Sequence, residues 1–139
     1  MPANAVNATP SAPLLSPIIV IPLAWFIPGG GHFLVGRKGR AAIVFVTVLA
    51  TFLIGTAMRG PLFHPVDTGD VLSRLIQFGG YLGDLSSGLF YFLATFMGYG
   101  PPDVAGYSPD YGAKFIVAAG LLNILAVVDA YEICTRQKD

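Results

Sequence analysis

Four places in the chain carry residues whose types could do chemistry. They are Pro28 to Arg40 (PGGGHFLVGRKGR), His64 to Asp70 (HPVDTGD), Asp84, and Asp129 with Glu132. The first has the look of a phosphate cradle. Such a loop needs G-x-x-x-x-G-K-[ST] between a strand and a helix, so that backbone N–H groups and a lysine surround the phosphate. Gly31 and Gly36 have the spacing, but Arg37-Lys38 stands where Lys-Ser/Thr is required. The dinucleotide fingerprint fails as well, because Leu34 occupies its third glycine. Apolar runs on both sides fit a hairpin turn between two helices instead.

His32 and His64 are the only histidines. A neutral imidazole can ligate a haem or a chlorophyll-type pigment, which makes His32 the candidate cofactor-binding residue. The plainer alternative is a histidine that hydrogen-bonds the backbone of its glycine-rich turn. His64, Asp67 and Asp70 are too few for a metal site, and capping of a turn or helix explains the aspartates more simply. Two membrane aspartates, Asp84 and Asp129, raise intramembrane proteolysis. That chemistry's G-x-G-D is absent, since Tyr81 precedes Leu82-Gly83-Asp84, and Asp67-Thr68-Gly69 matches an aspartic protease only as a tripeptide. Cys134 is the single cysteine, so no internal disulfide forms. No catalytic residue and no metal site is expected, and the protein reads as a non-enzyme.

These residues must be positioned by an unusual scaffold. Of 139 residues 54% are hydrophobic and 12% charged, where a soluble domain carries about 25% charged residues. Net charge is zero, which gives no field for nucleic acid. The fold class expected is all-α and integral to a membrane. It has three to four transmembrane helices, a Gly-rich hairpin turn and a re-entrant or interfacial middle element. Residues 1–13 read as an irregular tail and residues 14–139 as one transmembrane helical domain. Leu14 to Ile27 reads as the first span despite Pro17 and Pro22, Ala41 to Met58 as the clearest span, and Lys114 to Cys134 as the last. Residues 71–97 are ambiguous: Val71, Leu75, Phe78 and Leu82 repeat at helical spacing, followed by a short aromatic run after Asp84. Residues 98–112 read as a turn-rich loop. Three small-residue faces suit close helix packing: Thr47, Thr51 and Gly55; Gly79, Gly83 and Ser87; and Ala119, Asn123, Ala126 and Ala130.

The stretch IPGGGHFLVGRKGRAAIVF resembles the core of the two-transmembrane-helix hairpin domain, with Pro28, Gly29, Gly31, His32, Phe33 and Gly36 matching and Leu34 departing from the usual aromatic. The resemblance covers residues 14–58. The whole chain is similar to an uncharacterised family of small multi-pass membrane proteins known mainly from acidobacteria, a resemblance that implies no activity.

Arg37, Lys38 and Arg40 put the first loop in the cytoplasm of a bacterial inner membrane, with the uncharged tail outside. A middle region that crosses balances the basic residues four against four; one that does not cross gives five against three, the favoured count. Asp129, with Glu132 nearby, is expected to pair with this basic loop and join the first and last helices. The function expected is an accessory or scaffolding subunit of a larger integral-membrane complex, respiratory or photosynthetic. The alternatives are a small transporter or channel-like oligomer, with Asp84 or Asn123 lining a path, and a pigment- or haem-binding subunit. Its surroundings are the lipid bilayer and other membrane subunits, and a specifically bound lipid or pigment is a possible cofactor.

Overall fold

The computed structural model describes residues 15–65, 69–100 and 106–135. The tail 1–13, Asp67, and the basic residues Arg136 and Lys138 lie outside the described residues. Among those described there are helices and no strand: α1 Pro17–Phe26, α2 Gly30–Leu34, α3 Lys38–Ala57, α4 Val71–Ser86, α5 Leu89–Phe96 and α6 Tyr107–Cys134. Of these, only α3 and α6 are long and apolar enough to cross a membrane. The limits of α1 come from its prolines. Pro17 opens the helix, where no N–H is needed, and Pro28 disfavours helical backbone just before it.

The central helix is α6, and α3 packs antiparallel to it. Arg40, early in α3, reaches Asp129 late in α6, whereas Gly55 near the end of α3 lies against Gly112 and Ile116. Helix α1 also runs antiparallel to α6, but only for part of its length. Cys134 Sγ donates to the Leu15 carbonyl at one end (2.8 Å), and Asn123 Nδ2 donates to the Trp25 carbonyl at the other (2.8 Å). There the chain reverses. Gly29 adopts φ 80°, and a methyl group on it would collide with the Ala41 carbonyl. Helix α2 then returns, with Gly31 lodged between Ala24 and Ala130.

A second hairpin enters from the opposite end of α6. Helix α4 runs parallel to α6, with Gly83 against Val117 and Gly120 and with Ser86 beside Asn123. The chain turns at Ser87-Gly88, and α5 runs back along α3, with Phe90 against Phe45 and Phe52. Tyr99 Oη then donates to the Thr56 and Gly60 carbonyls at 3.2 and 3.0 Å. The two tips touch. Gly88 has φ 62°, and any side chain there would overlap the carbonyls of Trp25 and Phe26.

Several expectations change. The run Leu14 to Ile27 is not a full-length span: ten helical residues rise about 15 Å, against about 30 Å for a bilayer core. The end of α1 therefore stops beside Asn123 near the middle of α6, and the glycine-rich turn after it runs back past Ala41 and Ala130. Leu15 and Arg40 both lie at the Cys134 end of α6. Residues 71–97 form two helices that reverse. Helix α6 starts at Tyr107, earlier than Lys114, because Pro109 falls in the first turn, where its missing N–H costs nothing.

The amphipathic stripe of α4 is inside out. Val71, Leu75, Phe78 and Leu82 are 71%, 65%, 55% and 46% exposed, whereas Asp84 on the same helix is 0% exposed. Water would penalise that arrangement; hydrocarbon rewards it. Inside, Val48, Phe52, Phe90, Tyr91, Ile116 and Ala119 form the main core, and Val20, Ala24, Ala130 and Cys134 form a second.

Candidate functional site

Two polar clusters stand out. The first lies where the hairpin tips meet. Asn123 is fully buried, and its Nδ2 donates to both the Trp25 carbonyl (2.8 Å) and the Ser86 carbonyl (2.9 Å). Those carbonyls belong to the last turns of α1 and α4, which leave orphan acceptors at every helix end. One amide thus satisfies an acceptor from each hairpin. One turn from the tip, Asp84 is buried and its Oδ2 accepts from the Phe63 N–H at 2.6 Å. This ties α4 to the extended stretch after α3. Ser87, also buried, donates to the Asp84 carbonyl at 2.6 Å and stops the helix there. The Oδ1 atoms of Asp84 and Asn123 are buried without a partner among the described residues.

The second cluster lies at the basic end. His32 is 1% exposed, and its Nε2 pairs with Asp129 Oδ2 at 2.8 Å. Arg40 Nη1 approaches the same oxygen at 3.5 Å. In this pairing Nε2 carries the proton and donates to the carboxylate. His32 Nδ1 is buried and has no partner among the described residues. An iron or magnesium ligand at Nε2 would have to displace Asp129, and Nδ1 offers no surface to a macrocycle. The three side chains line an open groove of about 390 Å³ that continues over Ile43, Leu122 and Leu125.

Asp129 therefore joins α6 to Arg40 of α3, and through His32 to α2, a partner the basic cluster had obscured. Arg37 and Lys38 are exposed, with Lys38 Nζ 6.0 Å above the Phe33 ring. Glu132 is half-buried, one turn of α6 beyond Asp129. The small-residue faces divide. Asn123, Ala126 and Ala130 are buried, as are Gly83 and Ser87, while Gly79 is exposed with open space where a Cβ would lie. On α3 Gly55 is buried against α6, Thr51 is half-buried and bonds the Thr47 carbonyl, and Thr47 is exposed. His64 bonds the Leu62 carbonyl at 2.9 Å, and Asp70 caps α4 through the Ser73 N–H at 3.1 Å. Neither is drawn into a shared site. No group of three metal-ligating side chains occurs among the described residues.

The roles of Trp25, Ser86 and Phe63 are backbone roles, and side-chain chemistry in the sequence gives no sign of them. No curated protein and no solved structure matches the chain. A family model described as a family of unknown function (DUF6677) matches residues 19–139. The chain belongs to that family.

Proposed function

We propose, for this member of a family without an assigned activity, a non-enzymatic accessory or scaffolding role within a larger integral-membrane complex. Helices α3 and α6 cross the bilayer, and the two hairpins enter from opposite faces and turn at mid-depth. Arg37, Lys38 and Arg40 keep their end in the cytoplasm of the inner membrane. The observation that carries this reading is the double hydrogen bond of Asn123. Non-helical backbone at membrane depth is tolerated when buried in protein or lining a water-filled cavity. Here the central polar side chain fastens both tips, and Gly88 against Trp25 leaves no room between them. The result is a rigid unit with an apolar exterior, suited to packing among other membrane subunits. A respiratory or photosynthetic assembly is the class of host this fits.

Extraction of native membranes in mild detergent, followed by native electrophoresis and mass spectrometry, tests the role. The chain should migrate in a complex far heavier than its own 14.7 kDa. Migration only as a monomer or a homo-oligomer would remove the reading.

Opposed hairpins that meet at buried Asp84 and Asn123 support a second reading, a small transporter or channel-like oligomer. Cation flux in liposomes containing only this chain, abolished by Asp84→Asn, would favour it over the first.

A further inference from the structure

The basic residues at the start of α3 are not equivalent. Arg40 faces Asp129, whereas Lys38 has no carboxylate partner among the described residues. Lys38 stands instead at the mouth of a separate cleft of about 430 Å³ between the α1–α2 hairpin and α3. Leu23, Ile27, Phe33, Ala42 and Phe45 line this cleft, and Lys38 is the only charged residue among its walls. It runs from the basic end of α3 down toward Phe45, about two turns deeper. At about 30 Å³ for each water-sized group, the volume holds roughly 14 such groups, the scale of one lipid chain. The Phe33 ring lies beneath Lys38 Nζ at 6.0 Å and biases the ammonium to stay over the opening.

We propose that this cleft binds one acyl chain of an anionic phospholipid, whose headgroup phosphate sits on Lys38. Charge complementarity selects the headgroup, and a wall of apolar side chains below a single cation selects an amphiphile over a wholly apolar or wholly polar ligand. The lipid covers the side of the α1–α2 hairpin that α6 does not. This inference rests on α3 and α6 spanning a bilayer.

The full-length chain, purified in mild detergent and stripped of lipid, is titrated with dioleoylphosphatidylglycerol or dioleoylphosphatidylcholine and read by native mass spectrometry. One molecule of the anionic lipid should be retained preferentially. Lys38→Ala should weaken that retention about fivefold, and Ala42→Trp, which fills the cleft, should abolish it. Lys38 is exposed, so its replacement reads the headgroup contact even if Ala42→Trp fails to fold. Equal retention of the two lipids, or anionic-lipid binding unchanged in Lys38→Ala, would overturn the proposal. So would a folded Ala42→Trp that still holds the lipid. Carbonate extraction separates this from the underlying reading. A chain released from membranes overturns both, and a chain retained there without lipid preference overturns only the cleft.

Discussion

The α1–α2 and α4–α5 hairpins reach Asn123 from opposite ends of α6, yet they are fastened at different depths. The first is held chiefly at its open end, where Cys134 bonds the Leu15 carbonyl and Asp129 holds His32. The second is held along its buried arm, through Asp84 on the Phe63 N–H, and by the ring of Phe90 between Phe45 and Phe52. Asp129 is 26% exposed at its side chain and Asp84 is fully buried. A solvated partner can be replaced by water or a headgroup; a buried one cannot. Disturbing the α4–α5 hairpin or the shared tip should therefore cost more than disturbing the base of α1–α2.

The largest effect is expected at the tip. Gly88→Val combines a left-handed backbone with an overlap on the Trp25 and Phe26 carbonyls. It should destabilise the bundle by about 3 kcal/mol or more. Thermal unfolding in detergent measures this, and a variant that melts like the parent would show that the tips do not touch. Asn123→Leu comes next. It strands one half-buried carbonyl on each hairpin, at up to about 1–3 kcal/mol per unsatisfied group. Proteolysis of the folded variant should then cut both hairpins faster. Protection of one hairpin alone would mean that Asn123 serves the other.

What is legible in the sequence follows the strength of each physical signal. Helices α3 and α6 can be read because an apolar run of membrane length with few charges is rare in a soluble helix. Helix α1 is misread by the same rule: apolar residues look alike in a half-length helix and a full one. The distinguishing signal is the bracket of Pro17 and Pro28, which leaves only ten helical residues between them. In residues 71–97 the reversal leaves a trace, because Asp84 and the glycine of Ser86-Ser87-Gly88 interrupt the apolar pattern. Asp129 is recognisable as needing a partner. That the partner is His32, 97 residues away, has no local signature. The small residues at Gly83, Ser87, Ala126 and Ala130 are recognisable as packing positions, and they pack within this chain.

Smaller effects sharpen the comparison. Asp129→Asn keeps an oxygen for His32 but loses the charge facing Arg40, and should cost about 1 kcal/mol, less than Asn123→Leu. A larger loss, measured by the same unfolding assay, would move the weight of the fold to the basic end. Gly79 and Gly83 separate inside from outside on one helix. Gly83→Ala meets the Val117 side chain and should destabilise by about 1–3 kcal/mol. Gly79→Ala meets nothing and should be neutral or stabilise by up to about 1 kcal/mol. Destabilisation by both would indicate that a further surface packs on Gly79.

The central claim, that each hairpin enters and leaves at one face of the membrane, is tested most directly by labelling. Single cysteines are placed at exposed Ser16, Gly39, Gly69 and Ser108 in a Cys134→Ser background, and a membrane-impermeant maleimide is applied to sealed vesicles of each orientation. Ser16→Cys and Gly39→Cys should react from one side, and Gly69→Cys and Ser108→Cys from the other. Reaction of Ser16→Cys and Gly39→Cys from opposite sides would make the first apolar run a full span and contradict the fold described for it.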